Sequence, residues 1–278
     1  MIAEMPLETS AATPIAQVFT RAKSEGRTAF MPFVTAGDPD VATTVRLVQR
    51  LGSENVDLIE IGFPYSDPIA DGPVIQASYT RALNAGVTVD KILDAFRALD
   101  KSGLPPLIPM VSYAIIMRRG VERFLDDAVA AGFAGLIIPD LPGDEAGEMF
   151  EAVRRHGLDL IQLVAPGTSP ERVRKVVAAC SGFVYCLGVA GITGERQDVA
   201  ESLLAQLKWL RRETNLPLAV GFGVSRPEHV ATLRTIADGV IVGSAIVRRL
   251  EPQPGRNPSD AIDDVATYVH EMVAACRK

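Results

Sequence analysis

Short apolar runs alternate with longer amphipathic stretches along most of the chain. Eight of these runs are nearly continuous in hydrophobicity, as parallel strands covered by helices on both faces are. They are Phe30–Val34, Leu58–Ile61, Leu107–Ser112, Gly135–Ile138, Leu160–Val164, Phe183–Leu187, Leu216–Val220 and Gly239–Val242. The pattern predicts eight buried strands.

The stretches between the strands carry apolar residues at helical spacing. They predict helices over Val41–Leu51, Val89–Leu99, Gly120–Ala131, Ala146–His156, Pro170–Ala179, Val199–Arg212 and Pro227–Thr235, with a last one over Ser259–Ala275. Ahead of the first strand, Thr13 and Pro14 predict the start of a further helix, because threonine caps helices and proline suits their first turn. Gly26 predicts its end.

Strands that alternate with helices predict βαβ units and a parallel sheet. Eight strands match a (β/α)8 barrel. A doubly wound open sheet is the alternative, but no G-x-G-x-x-G motif follows the first predicted strand. No linker-like segment divides the chain, so we expect one domain over residues 1–278, with residues 1–12 as a flexible leader.

Composition narrows the class of protein. The 278 residues are 47% hydrophobic and carry a net charge of −6, and no basic run suggests a nucleic-acid surface. No apolar run is long enough for a transmembrane helix, and the first residues do not resemble a signal peptide. Three cysteines without a C-x-x-C pair fit a reducing compartment. We therefore expect a cytoplasmic protein that binds neither nucleic acid nor membrane.

The loop after the second strand contains the most unusual polar residues. Glu60 interrupts an apolar run, and Asp67 and Asp71 follow in a turn-rich segment. A buried carboxylate is costly unless it is satisfied or neutralised, so Glu60 needs a reason. Glu60 could be a structural carboxylate, and Asp71 could form an Asx turn before Gly72. Asp67 is best explained by turn chemistry, whereas the pairing of Glu60 with Asp71 around one loop favours catalysis.

Glycines follow three later strands, where barrel enzymes often bind phosphate. They lie in Gly188–Gly194, Gly221–Gly223 and Gly243–Ser244. Glycine allows close backbone approach to an anion, and helix amides point at it. Ordinary tight turns are the alternative. Similarly, Tyr185 could be a core residue, and Thr35 and Asp38 could be turn formers.

Several reaction types lack the residues they need. No lysine lies on a predicted strand, as a Schiff base would require, and all three histidines lie on predicted helices. Cys186 has no histidine partner that the sequence places beside it, and no G-x-S-x-G motif is present. Carboxylate acid–base chemistry on a phosphorylated substrate remains, without a metal.

The segment Leu58–Gln76, above all Ser-Asp-Pro-Ile-Ala-Asp-Gly-Pro, resembles the signature of the tryptophan synthase α subunit. The resemblance continues through Phe30–Pro39, Pro139–Pro142, Ala190–Gly194, Gly221–Ser225 and Gly243–Val247. It implies a (β/α)8 barrel with an additional N-terminal helix. It also implies retro-aldol cleavage of indole-3-glycerol phosphate to indole and D-glyceraldehyde 3-phosphate.

The resemblance also implies roles for individual residues. Glu60 is the implied acid–base, Asp71 the second carboxylate and Tyr185 the tyrosine beside the glycerol group. The implied phosphate-binding residues are Gly194, Gly223, Gly243 and Ser244. The implied indole pocket consists of Phe33, Val111, Ile137, Phe183, Thr193 and Phe222.

A partner is implied as well: a β subunit that contains pyridoxal phosphate and makes L-tryptophan from indole and L-serine, in an α2β2 assembly. No cofactor is expected in this chain. Partner binding is expected to close the loops Ser66–Pro73 and Gly188–Gly194. Ile115 departs from the family, which usually has asparagine there, in a region that faces the β subunit. Two alternatives are an isomerase of tryptophan or histidine synthesis and a non-catalytic binder of indole phosphates.

Overall fold

The computed structural model describes residues 12–68, 71–143, 145–188, 201–221 and 223–277. Its eight strands pair in parallel in chain order and close into a barrel, because the last strand pairs with the first through Ala29 and Gly239. The strands are β1 Ala29–Thr35, β2 Ile59–Gly62, β3 Leu107–Met110, β4 Gly135–Ile137, β5 Asp159–Val164, β6 Val184–Leu187, β7 Leu218–Gly221 and β8 Gly239–Val242.

Helices surround the barrel and close one end of it. In the described ranges they are α1 Pro14–Ser24, α2 Val41–Gly52, α3 Pro73–Asn84, α4 Val89–Ala98, α5 Tyr113–Arg119, α6 Val121–Ala130, α7 Ala146–Arg155, α8 Pro170–Ala178, α9 Glu201–Glu213, α10 Pro227–Leu233, α11 Ser244–Leu250 and α12 Pro258–Cys276. Within those ranges, no helix is both long and apolar enough to cross a membrane.

Helix α1 covers the amino end of the barrel. The Thr13 hydroxyl accepts a hydrogen bond from the Ala16 amide at 3.2 Å, which caps the helix, and donates to Asp159 at 2.6 Å, which fastens it to β5. On the buried side, the ring of Phe19 packs 5.5 Å from that of Phe183. The predicted N-terminal helix is therefore confirmed, and it closes the barrel floor.

The apolar residues form two cores. The inner core fills the barrel and includes Met31, Leu58 and Ile161, together with the buried face of α1. The outer core lies between strands and helices and includes Ile59 and Ile61. Adjacent strand residues point into different cores, as the two-residue period of a strand requires.

The predicted barrel and its eight strands are confirmed, whereas three helices were missed. Helices α5 and α11 span only seven residues each, too few for helical periodicity to stand out. Helix α3 begins where the sequence predicted only the end of a loop, at Pro73. It carries a buried serine, Ser78, on its inner face, and this weakens its apolar pattern.

Candidate active site

Glu60 lies in β2 with its side chain directed into the barrel. Leu58 belongs to the inner core and Ile59 and Ile61 to the outer core, so the strand alternation places Glu60 inside. Glu60 has no exposed surface, and neither carboxyl oxygen has a hydrogen-bond partner among the described residues. Burial raises the pKa of this carboxyl well above its usual value. The protonated acid is therefore favoured.

Asp71 lies between the β2 loop and α3, and its backbone is held in place. Its amide donates to the Pro68 carbonyl at 3.1 Å. The Gln76 side-chain amide donates to the Asp71 carbonyl at 2.7 Å and to that of Pro68 at 3.2 Å. Partial burial raises the pKa of the Asp71 carboxyl to about 6. The two carboxyls thus occupy different environments, which suits one to act as an acid and the other to stay ionised near neutral pH.

Tyr185 lies on β6, across the barrel from Glu60. Gly221 on β7 makes room for it, because an added Cβ at that glycine would lie 2.5 Å from Cζ of Tyr185. Burial raises the pKa of the Tyr185 phenol, and the next largest contribution is the charge of Glu60, ahead of that of Asp71. Tyr185 and Glu60 therefore face one region of the barrel interior, and Asp71, in the loop after β2, is near enough for its charge to act on the phenol.

Phe33 forms one wall of this region, between β2 and β8. A Cβ at Gly62 would overlap its ring, and a Cβ at Gly243 would lie 3.6 Å from it. Ile137 is in the same inner core, fully buried on β4. The structure therefore places Phe33 and Ile137 inside the barrel, as a pocket role requires.

Two other residues assigned to the indole pocket have different surroundings. Val111 belongs to the outer core, and Met110 is the neighbouring residue that faces the barrel interior. Phe183 precedes β6 and packs against Phe19 of α1 at the amino end, away from the strand ends where Asp71 lies. Neither is brought together with the acid pair.

Three of the four residues assigned to phosphate binding, Gly223, Gly243 and Ser244, lie in the described ranges. Gly223 follows β7 with a φ of +82°, a left-handed conformation that favours glycine. Gly243 follows β8 and caps α11, which begins at Ser244, so the amides of this first turn point toward the carboxyl end of the barrel. Thr193, Gly194 and Phe222 lie outside the described residues, as does part of the loop Gly188–Gly194.

The sequence did not single out Tyr79, although it lies in the site. Its ring belongs to the inner core, and its hydroxyl oxygen would lie 2.7 Å from a Cβ added at Gly62. Ile75, Tyr79 and Ala82 recur at helical spacing and are all buried. That periodicity would have predicted a helix with Tyr79 on its inner face.

Polar contacts of the neighbouring loops fix the helix that follows Asp71. The Arg81 guanidinium donates to both carboxyl oxygens of Asp38, at 3.0 and 2.7 Å, and Asp38 is almost fully buried. The Thr35 and Ser78 hydroxyls are 2.7 Å apart. Thr35, at the end of β1, and Asp38, in the loop after it, therefore connect this part of the chain to α3, beyond the turn formation that the sequence suggested. Asp67 contacts Ser66 at 3.1 Å within its own turn.

The described parts of the chain give little support to a cysteine nucleophile or a metal site. Cys186 points into the outer core, and burial raises the pKa of its thiol to about 12, so the nucleophilic thiolate is disfavoured. The described residues contain no cluster of three side chains that could bind a metal ion. The acid pair is the chemistry that this site offers.

The family model for the tryptophan synthase alpha chain matches residues 19–277. The chain belongs to this family. It is 43% identical over 267 residues to the tryptophan synthase alpha chain of Rhodopirellula baltica, covering 95% of this chain and 96% of that one. It is 44% identical over 262 residues to that of Synechocystis, covering 94% and 98%.

Solved structures agree with the family assignment. A chain of Mycobacterium tuberculosis tryptophan synthase superposes with a TM-score of 0.85 at 35% identity, covering 96% of this chain and all of that one. A mutant alpha subunit from Pyrococcus furiosus superposes with a TM-score of 0.81 at 34% identity, covering 89% and 98%. These matches set aside the isomerase and the non-catalytic binder.

As a tryptophan synthase alpha chain, the protein is a lyase of tryptophan biosynthesis. It cleaves indole-3-glycerol phosphate to indole and D-glyceraldehyde 3-phosphate, and the indole passes to a β subunit that makes L-tryptophan. Alpha chains of this family contain no cofactor, and pyridoxal phosphate belongs to the β subunit. The resemblance and the reaction predicted from the sequence are confirmed at the level of the family.

Proposed function

We propose that Glu60 is the acid–base of the cleavage. In its protonated form it donates a proton to C3 of the indole ring, and the resulting carboxylate takes the proton from the glycerol hydroxyl next to the ring. The C–C bond then breaks, its electrons return to the ring, and the hydroxyl carbon becomes the aldehyde. The proton count balances, because C3 gains the proton that the hydroxyl loses. The buried, unpartnered carboxyl of Glu60, with its raised pKa, is the observation that carries this proposal.

The second carboxyl, Asp71, accepts a hydrogen bond from indole N1–H in its ionised form. Protonation at C3 places positive charge on N1, and a fixed carboxylate stabilises that charge as it develops. The hydrogen bond from the Gln76 side chain to the Asp71 carbonyl supports this role, because it fixes the backbone that carries the carboxylate. No covalent intermediate with the protein is needed, since the protonated ring itself accepts the electrons.

Tyr185 orients the glycerol portion of the substrate beside Glu60. Phe33 and Ile137 contact the indole ring, and Met110 takes the inner position at β3 in place of Val111. Gly223, Gly243 and Ser244 bind the phosphate through backbone amides and the serine hydroxyl. By resemblance, Thr193 and Phe222 also line the indole pocket, and Gly194 also binds the phosphate.

The partner assembly is α2β2, with the β subunit on the face around α5. The resemblance assigns the segment after β3 to this contact. That segment is α5, where Met117 is 52% exposed beside a groove of about 550 Å³ that Tyr113, Glu145 and Glu148 also line. Ile115, the departure from the family, packs against the outer core. The chain acts in the cytoplasm, which suits its three free and buried cysteines.

The test is indole release from indole-3-glycerol phosphate with a β subunit titrated in. The wild-type chain is expected to release indole slowly alone and faster with the partner. Glu60→Gln keeps the shape of the side chain but cannot cycle a proton, so we expect a loss of about 10²–10⁴-fold under both conditions. Near-normal turnover by Glu60→Gln would contradict the assignment of Glu60.

A further inference from the structure

Tyr79 is a buried phenol whose hydroxyl has no hydrogen-bond partner among the described residues. The side chain is 1% exposed and comes from α3, the helix that begins just after Asp71. An unpartnered buried hydroxyl destabilises a fold, and phenylalanine would fill the same space without that penalty. A polar group that weakens the folded state points to a functional reason for its presence.

The surroundings of Tyr79 direct its hydroxyl toward the acid pair. Helical side chains lean toward the N-terminus of their helix, and Asp71 lies just before the N-terminus of α3. The hydroxyl lies against Gly62 of β2, two residues beyond Glu60 on the same face of the strand. Among the charges that act on this phenol, that of Asp71 contributes most, ahead of Tyr65 and Glu60.

Asp71 needs a hydrogen-bond donor if it is to serve the reaction. Its role at indole N1–H requires the ionised form, whereas its burial favours the protonated form. Among the described residues no group donates to its carboxyl oxygens: Gln76 donates to its backbone carbonyl only. Within the described ranges, Tyr79 supplies a buried donor without an acceptor, and the partly exposed Asp71 an acceptor without a protein donor.

We propose that the hydroxyl of Tyr79 donates a hydrogen bond to the carboxylate of Asp71 in the substrate complex, so that Asp71 stays ionised and directed at the indole nitrogen. Tyr79 is then a positioning residue that acts through Asp71 and transfers no proton itself. This inference rests on the proposed function of the acid pair.

Tyr65 is the competing donor. Its ring packs at a tilt against that of Tyr79, with centroids 5.6 Å apart, and Asp71 is also the strongest charge acting on it. Tyr65 is only partly buried, however, so water can satisfy its hydroxyl and can replace that hydroxyl at Asp71. The hydroxyl of Tyr79 is buried, so no water takes its place on the buried side of Asp71 when it is removed.

The experiment measures the pH dependence of kcat for indole release by the wild type, Tyr79→Phe and Tyr65→Phe, each with saturating β subunit. A donor to a carboxylate lowers its pKa, so its removal in Tyr79→Phe should raise the pKa of Asp71. The acidic limb of the profile is then expected to move up by about one pH unit, which lowers kcat about tenfold at a pH well below the limb and by less near its midpoint, with KM nearly unchanged. Tyr65→Phe is expected to move the limb by less than about a third of a unit.

Matched controls separate this role from a structural one. Tyr268→Phe removes another buried phenol hydroxyl, which donates to the Ser225 carbonyl at 3.0 Å, and should leave the acidic limb in place. Tyr79→Phe itself should melt at the same temperature as the wild type or slightly higher, since it removes an unpartnered buried hydroxyl.

Three results would overturn the inference: an unmoved acidic limb in Tyr79→Phe, a rise in KM alone, or a larger shift in Tyr65→Phe. Failure of the proposed function has a different signature, which is near-normal turnover by Glu60→Gln. If Glu60→Gln is inactive and the limb of Tyr79→Phe does not move, only the role of Tyr79 is wrong.

Discussion

Two buried acids three residues apart, Asp57 and Glu60, show how differently the two ends of the barrel use polar groups. Asp57, at the amino end, accepts hydrogen bonds from two guanidinium nitrogens of Arg27, at 2.7 and 2.8 Å, and from the Phe30 amide at 2.9 Å. Glu60, farther along the same segment, has no hydrogen-bond partner among the described residues. The carboxyl of Asp57 is fully hydrogen-bonded, whereas that of Glu60 is free to bond a substrate.

The contrast extends beyond these two side chains. In the described ranges, five buried side-chain nitrogen or oxygen atoms have no hydrogen-bond partner, and three of them belong to Glu60 and Tyr79. At the amino end, α1 is capped, tied to β5 and packed against the inner core. Asp57 and the polar contacts of α1 at the amino end stabilise the fold, whereas Glu60 and Tyr79 are left for the substrate despite their effect on stability.

The largest expected effect on stability is at the amino end. Asp57→Asn removes the partner of a buried guanidinium, so the free energy of unfolding should fall by about 3–5 kcal/mol, with turnover per folded molecule unchanged. Glu25→Gln is the matched control, because Glu25 contacts the same Arg27 from an exposed position and should change stability far less. Urea unfolding measures both. Equal losses in the two variants would contradict the account.

Asp71→Asn should change activity and stability in opposite directions. Turnover should fall about 10²-fold or more, since an amide cannot carry the charge that faces indole N1. Burial raises the pKa of Asp71 to about 6 in the folded protein, above its unfolded value, so the ionised side chain destabilises the fold at neutral pH. The variant should therefore be about 1–3 kcal/mol more stable at pH 7.

The pH dependence of that difference supplies the check. As the pH falls through about 6, the folded wild type takes up the proton that its environment favours, so the gain in Asp71→Asn should shrink and vanish near pH 4. Melting temperatures of the two proteins across this range measure it. A gain that grows toward acid pH would show that Asp71 is stabilised by a partner in the free protein.

The smallest expected effect compares two glycines of the barrel interior. In Gly221→Ala the new methyl group meets the ring of Tyr185, so we expect a stability loss of about 1–3 kcal/mol and a fall in kcat as the phenol shifts. In Gly239→Ala the new Cβ meets the end of Met31 at 2.7 Å and lies 3.2 Å from Ala219 Cβ and from the Phe19 ring, so stability should also fall, but kcat per folded molecule should stay unchanged. Thermal melting together with initial rates separates the two outcomes, and a fall in kcat for Gly239→Ala would contradict the division between the ends.

Much of this architecture could be predicted from the sequence, because buried parallel strands leave a strong trace. Continuous apolar runs between amphipathic stretches predicted all eight strands. Glu60 was recognisable as an acid inside an apolar run, and Asp71 because it pairs with Glu60 around the loop that follows. The same continuous hydrophobicity does not show which residues of a strand face the barrel interior. A strand that is apolar on both faces shows no alternation, so the sequence did not reveal that Met110, and not Val111, faces the interior.

Other features depend on contacts between segments that are distant in the chain. Phe183 was assigned to the pocket although it precedes its strand and meets α1 at the opposite end. Asp38 resembled a turn former, and only the fold brings Arg81, 43 residues later, to its carboxyl group. Tyr79 became recognisable as part of the site only when α3 placed its hydroxyl against Gly62. Such neighbours follow from packing, which a local pattern does not contain.

Glu60→Gln, measured for both turnover and unfolding, tests the central claim most directly. If Glu60 is kept for chemistry, indole release with saturating β subunit should fall about 10²–10⁴-fold, while the free energy of unfolding at pH 7 stays at or above that of the wild type. The contrary result is near-normal turnover with a stability loss comparable to that of Asp57→Asn, which would make Glu60 a structural carboxyl like its neighbour at the barrel floor.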